Sequence, residues 1–265
     1  MHSYFKKPLS SKSLIVFDLD GTLTETKSAL TPAMSAALTR LLIEKKVAVI
    51  GGGSYKQFRK QFISHFDCPR QLFENLFLFP TTATSFYRYD RGWKKVYAHL
   101  LSKVQKQKIR KAVKEVLKEI GYVPPRKTYG KTLEDRGSQM SYSFLGQDVV
   151  AELGAKGVHL KEKWTRENTP LKLKIAGMLQ ERLPELEVRA AGFTTIDIVK
   201  RGIDKAYGIR QIEKYLHVPV KDMVFIGDAL FTGGNDAAVK KTDVQTVAVK
   251  GPKDTMKIIG RIIGK

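Results

Sequence analysis

Apolar residues recur along the chain in two rhythms. Short runs at 14–17, 47–50, 76–79, 223–227 and 246–249 are rich in Val, Ile, Leu and Phe, and Gly or Pro cuts several of them off. Runs of that length without alternation predict strands buried on both faces. Between them lie helical patterns. Thr31-Pro32 supplies an N-cap and a first-turn proline, and Met34, Leu38, Leu41 and Leu42 then form one apolar face. Residues 55–66 predict a helix with Phe58 and Phe62 inward, and 205–216 and 253–262 predict two more.

The middle of the chain has a different grouping. Ser102-Lys103-Val104-Gln105 is a capping-box pattern, and Val113, Val116, Leu117 and Ile120 continue a helix that Gly121 ends. Strands are expected at 140–145, 187–190 and 194–199, with a second helix opened by Thr169-Pro170. Strands alternating with helices outside this segment argue a parallel sheet, and the grouped elements inside it argue an antiparallel one. The expected fold is therefore α/β: a Rossmann-like doubly wound parallel-sheet core, 1–85 plus 200–265, with an inserted α+β cap domain at 86–199.

Composition leaves room for both. The 265 residues are 42% hydrophobic, enough for real cores. The single cysteine, Cys68, excludes an intrachain disulfide and points to a reducing cytoplasm. No apolar stretch reaches membrane-spanning length, and residues 1–13 lack the apolar centre of a signal peptide, so neither export nor a membrane is expected. The net charge of +21 is uneven: residues 91–131 carry thirteen Lys or Arg against Glu115 and Glu119. Such a run is ordinarily a solvated helix face, although it also steers anions. Trp93 and Tyr97 share helical spacing with Val96 and Leu100, which favours packing over base stacking. Nucleic acid is thus disfavoured beyond nonspecific contact.

The densest chemistry lies at Asp18-Leu19-Asp20-Gly21-Thr22-Leu23-Thr24, where a strand runs into a loop. Residues i and i+2 of a strand share a face, so Asp18 and Asp20 address one point. Crowded carboxylates need a cation or a proton, and hard oxygen ligands suit magnesium. Ligands of doubly wound sheets bind beyond the carboxyl ends of strands.

That string resembles the first motif of the haloacid dehalogenase superfamily of phosphotransferases. The other three motifs follow in order. Gly51-Gly52-Gly53-Ser54 ends an apolar run and feeds a helix, offering N–H groups and a hydroxyl to an anion. Lys205 opens a helix, and Gly227-Asp228 closes a strand before Gly233-Gly234-Asn235-Asp236. The resemblance implies Asp18 as nucleophile and Asp20 as general acid/base. It implies Ser54 and Lys205 as stabilisers of phosphoryl charge, and Mg2+ held by Asp18, the Asp20 carbonyl, Asp228 and Asp236, the last directly or through water.

A cap between the second and third motifs resembles subfamily IIB, which holds sugar-phosphate phosphatases and the eukaryotic-type phosphomannomutases. Gly53 and Asn235 fall in segments similar to the latter, as do Arg136 with Ser143 and Gly146, and Thr195-Ile196-Asp197. These imply substrate binding by Gly53, Arg136, Thr195, Asp197 and Asn235. The mutase segment carries further arginines, whereas Gln147 follows Gly146 here and no Arg occurs until Arg166. The expected partner is a small phosphorylated substrate, with a homodimer among the allowed assemblies. The expected function, in order, is a phosphatase of a small phosphorylated metabolite such as a sugar phosphate, a phosphomannomutase, and a polyanion-binding protein on the same fold.

Overall fold

The computed structural model describes residues 8–26 and 28–264. The chain divides into two compact units, 1–98 together with 203–265, and 99–202.

The first unit is built on a seven-stranded sheet. Its parallel members are β1 (Leu14–Asp18), β2 (Lys46–Ile50), β3 (Leu76–Phe79), β10 (Met223–Gly227) and β11 (Gln245–Ala248), and β4 (Ser85–Tyr89) and β5 (Trp93–Ala98) extend it antiparallel in the order β11-β10-β1-β2-β3-β4-β5. The two-residue period sorts the buried strand residues to opposite faces. Ile15, Phe17, Val47, Val49, Val224 and Ile226 pack in one cluster with residues of α1 (Pro32–Glu44), α2 (Tyr55–Gln61) and α8 (Pro252–Ile262). Leu14, Val16, Ala48, Ile50, Met223 and Phe225 pack in the other with Ile209 and Ile212 of α7 (Lys205–Leu216). Both faces are covered, as a parallel sheet requires. The chain progresses outward from β1 through β2 and β3, and on the other side from β10 to β11. The strand order therefore reverses between β1 and β10, where such folds place their ligands.

Three expectations need correction in this unit. The helix from Tyr55 stops at Gln61, and Ile63–His65 continues as a 3-10 turn. The core reaches past the expected boundary at 86, because β4 and β5 form a hairpin hydrogen-bonded to β3. The helical spacing of Trp93, Val96, Tyr97 and Leu100 is not used, since residues 93–98 are a strand. A register shift opposite Phe86 and Tyr87 breaks its alternation, so Trp93 packs in the first cluster and Tyr97 in the second.

Between β3 and β4 the turn-length element α3 (Pro80–Ala83) is left-handed: Thr81, Thr82 and Ala83 have φ of 49°, 55° and 62°. Its amides secure the glycine loop after β2, with Thr81 N–H donating to the Gly53 carbonyl and Thr82 N–H to that of Gly51, each at 2.9 Å. Thr81 and Thr84 hydroxyls share a buried hydrogen bond at 2.5 Å.

The second unit holds an antiparallel sheet in the order β6-β7-β9-β8, made of β6 (Leu133–Asp135), β7 (Gln139–Ser143), β8 (Leu186–Ala191) and β9 (Thr195–Lys200). Met140, Tyr142, Ile196 and Ile198 pack on Ile109, Val113 and Val116 of α4 (Lys103–Glu119) and on Ile175 and Leu179 of α6 (Ala155–Arg182). The short α5 (Val149–Leu153) precedes α6. Ser102 closes the expected capping box with Gln105. The helix expected to open at Thr169-Pro170 instead begins at Ala155 and runs through Pro170. Proline there removes one N–H donor. Thr165 and Thr169 hydroxyls bond back to the carbonyls of Lys161 and Thr165, and Trp164 stacks on Phe144 at 4.5 Å. Packing on both sides of the proline thus overrides the local stop signal.

Candidate active site

Asp18 ends β1 on the same face as Leu14 and Val16, the face that α7 covers. Asp204 caps α7, accepting from Tyr207 N–H at 2.8 Å, and Lys205 is the first helical residue. Its ammonium reaches Asp18 Oδ1 at 2.5 Å and also contacts Asp236 Oδ1. Side-chain exposure is 2% for Lys205, 5% for Asp18 and 0% for Asp236. Asp236 is further held by Ala229 N–H, which donates to Oδ2 at 3.0 Å. Asp228 directly follows β10, and the Thr22 hydroxyl lies 3.3 Å from its Oδ1 and 3.1 Å from its backbone N–H.

Oxygens of Asp18, Asp228 and Asp236 lie within 4.8 Å of one another. Hard carboxylate oxygens this close suit a divalent cation such as magnesium. Three carboxylates gather beside the Lys205 ammonium, an excess of negative charge that a divalent ion would offset. The electrostatics carry that strain. Burial pushes the Asp18 carboxyl up to about 7, with Lys205 opposing and Asp236 adding to the rise. Burial also raises Asp228, again helped by Asp236. Burial acts to lower Lys205, but Asp18 and Asp236 together outweigh it and hold the ammonium above its ordinary value.

Gly21 is required by this geometry. Its φ is +86°, and a Cβ there would come within 2.4 Å of Asp228 Oδ2.

The carboxylate of Asp20 is not one of the three clustered around Asp18. Gln61 Nε2 donates to its Oδ1 at 2.7 Å. Ser54 caps α2, its hydroxyl oxygen accepting from Gln57 N–H at 3.3 Å. Gly53 is buried beside it, and Asn235 is exposed next to Asp236. Thr22 and Gln61 were not singled out by sequence reasoning. Thr22 lies inside the first motif, and its nearness to Asp228 comes only from the β1–β10 pairing.

In the second unit, the sheet face opposite the apolar cluster carries the remaining expected residues. Glu134, Ser141, Asp197 and Arg189 form one cross-strand row. The Ser141 hydroxyl donates to Asp197 Oδ1 at 2.5 Å. Arg136 is engaged within the unit: Nε donates to Glu134 Oε2 at 2.7 Å and Nη2 to Gln147 Oε1 at 3.1 Å. Gln147 in turn donates to the Ser141 carbonyl at 3.1 Å. Arg189 pairs with Glu187 at 2.6 Å. Thr195 donates its hydroxyl to the Ala191 carbonyl at 2.6 Å, closing the β8–β9 turn.

A parallel sheet with paired carboxylates where its strand order reverses, interrupted by an antiparallel insertion, defines the haloacid dehalogenase fold. A haloacid dehalogenase-like hydrolase from Bacteroides thetaiotaomicron superposes with a TM-score of 0.57 at 14% identity, over 95% of this chain and 99% of that one. Plasmodium falciparum IMP-nucleotidase, in a C-terminally truncated form, gives a TM-score of 0.67 at 15% identity, over 97% of this chain and 72% of that one. The chain belongs to the eukaryotic phosphomannomutase family, whose profile matches residues 34–265. A probable phosphomannomutase of Caenorhabditis elegans is 25% identical to it over 97% of each chain. No helix among the described residues is long and apolar enough to cross a membrane.

Proposed function

We propose that this chain is a magnesium-dependent phosphotransferase acting on a sugar phosphate through an aspartyl phosphate on Asp18. The observation that carries the reading is the meeting of buried Asp18, Asp236 and Lys205 with half-buried Asp228 where the strand order reverses. Asp18 supplies the nucleophilic carboxylate, and Asp20 gives a proton to the leaving oxygen and later takes one from the acceptor. Lys205 and Ser54 offset charge on the transferring group, and the Lys205 contacts also keep Asp18 and Asp236 in place. Side chains of Asp18, Asp228 and Asp236, with the Asp20 carbonyl, would hold magnesium, which when bound lowers the repulsion between carboxylate and phosphate.

The acceptor of the phosphoryl group separates two reactions. Relatives named phosphomannomutase, similar over nearly the whole chain, support return of the group to a sugar, and mannose 1-phosphate/mannose 6-phosphate interconversion is our first reading. Hydrolysis is the second reading, favoured by the occupied guanidinium of Arg136. A mutase must hold a bisphosphate by its distal phosphate, and Glu134 and Gln147 already take the donors best suited to that grip. Polyanion binding is set behind both, because the acidic cluster and its lysine are assembled. Phosphorus NMR of the protein with Mg2+, mannose 1-phosphate and a trace of hexose bisphosphate distinguishes them. Mannose 6-phosphate is the expected product of a mutase, and inorganic phosphate that of a phosphatase. An Asp18→Asn variant that kept full turnover of either kind would refute the aspartyl-phosphate route.

A further inference from the structure

Gln61 is polar, 5% exposed, and ends α2. A buried amide is costly unless its bonds are made. Here they are made toward one target. The side-chain NH2 donates to Asp20 Oδ1 and to Thr24 Oγ1, each at 2.7 Å. The Thr24 hydroxyl points its own hydrogen at the Leu19 carbonyl, 3.4 Å away, so toward Gln61 it can only accept. That fixes the amide orientation, with Oε1 on the far side, where it accepts from Gln57 Nε2 at 3.2 Å. Gln57 and Gln61 stack one turn apart on α2. The line ends at Gly53, where a Cβ would come within 2.8 Å of the Gln57 amide carbon and oxygen.

We propose that Gln61, braced by Gln57, is a positioning residue for Asp20. Its bond to Oδ1 sets the plane and direction of the carboxyl that exchanges the proton. The inference rests on the reading of Asp20 as general acid/base. In the first step an Asp18 oxygen bonds to phosphorus while the ester P–O bond breaks, its electron pair stays on the leaving oxygen, and that oxygen takes the proton from the Asp20 carboxyl. In the second step a water or sugar hydroxyl bonds to phosphorus and returns a proton to that carboxylate, while the bond from phosphorus to Asp18 breaks. A carboxyl free to turn would be misdirected for part of its time in both steps. Gly53, expected from the sequence to meet the substrate, acquires a further task, since it leaves the space that the Gln57 amide occupies.

The test compares Gln61→Leu, Gln57→Leu, Asp20→Asn and the Gln61→Leu/Asp20→Asn double variant, with Mg2+, on mannose 6-phosphate primed by a trace of hexose bisphosphate and on p-nitrophenyl phosphate. The sugar is a poor leaving group that needs a proton, and nitrophenolate leaves without one. Gln61→Leu is expected to lower kcat on mannose 6-phosphate by about tenfold to a hundredfold with KM within about twofold, as misplacement of a catalytic group does. The pre-steady-state release of nitrophenolate should stay within about threefold of wild type. Gln57→Leu should act in the same direction more weakly, and it carries the test if thermal denaturation finds Gln61→Leu unfolded. In the Asp20→Asn background Gln61→Leu should cost nothing more. Equal losses on both esters, a change confined to KM, or an additive loss in the double variant would overturn the positioning role. Wild-type turnover by Asp20→Asn, or no turnover of either ester by the wild type, would instead overturn the underlying reading of Asp20 and the site.

Discussion

Replacing Lys205 by Met removes an ammonium that bridges Asp18 and Asp236 and leaves two carboxylates buried without it. Removing one partner of a buried pair costs about 3–5 kcal/mol when the other stays charged. Asp18 has an escape, because its carboxyl already rises from 3.8 to about 7 with the lysine present and rises further without it. Between those two values the folded wild type keeps a proton that the unfolded chain has released, so its stability falls as pH rises, and this slope ends near 7. In Lys205→Met the slope continues above 7 at about 1.4 kcal/mol per pH unit. The deficit of the variant is therefore nearly constant from pH 6 to 7 and larger by up to about 1.4 kcal/mol at pH 8. For a chain of this size that is roughly 3–6 °C in Tm. Thermal denaturation of both proteins in EDTA at half-unit pH intervals reads the effect. A deficit independent of pH, or a variant as stable as wild type at pH 8, would refute the argument that the lysine neutralises this pair.

Magnesium must displace the proton on Asp18, so its apparent affinity should fall about tenfold per pH unit below pH 7, and calorimetric titration at pH 5.5, 6.5 and 7.5 measures this. Gly21→Ala forces a side chain into a left-handed backbone and against Asp228; it should lose about 1–2 kcal/mol of stability and weaken Mg2+ binding, both followed by denaturation with and without the ion. Gln147→Arg restores a second guanidinium beside Arg136, and transfer between sugar positions should gain on phosphate release in the phosphorus spectrum; an unchanged product ratio would detach Gln147 from the choice of acceptor. Ser102→Ala breaks the capping box of α4 and should cost about 1 kcal/mol without altering turnover.

Most of the acidic cluster was legible in the sequence because its residues sit where apolar runs end, and strand ends of a parallel sheet converge. Asp18 and Asp228 are such residues, whereas Asp236 and Lys205 were reached only through their places in the motif order. Gln61 was not legible. Its helix period shows an inward position but cannot say that a polar side chain there meets Asp20 across the loop. Thr169-Pro170 reads locally as a beginning, and only the packing of Trp164 and Ile175 on either side keeps the helix running through it. The β4–β5 hairpin looked like the start of the insertion because a register shift hides its alternation. Charge told least: the lysines of α4 are partly matched at close range, as in Lys106 with Asp135 and Lys108 with Glu185.

The left-handed turn at Thr81, Thr82 and Ala83 has a kinetic meaning. Each L-residue held in that conformation costs about 1–2 kcal/mol, and among the contacts that offset this are a pair of amide bonds to the carbonyls of Gly51 and Gly53, the buried Thr81–Thr84 hydroxyl contact and the bond from the Thr84 hydroxyl to the Thr81 carbonyl. Once one bond opens, less holds the three residues left-handed, and the turn has reason to relax as a whole. The glycine loop should thereby behave as a latch that opens together with the turn. Amide protons of Gly51, Thr81 and Thr82 should exchange with solvent as a single event, on a clock set by the β3–β4 hairpin and not by the presence of substrate.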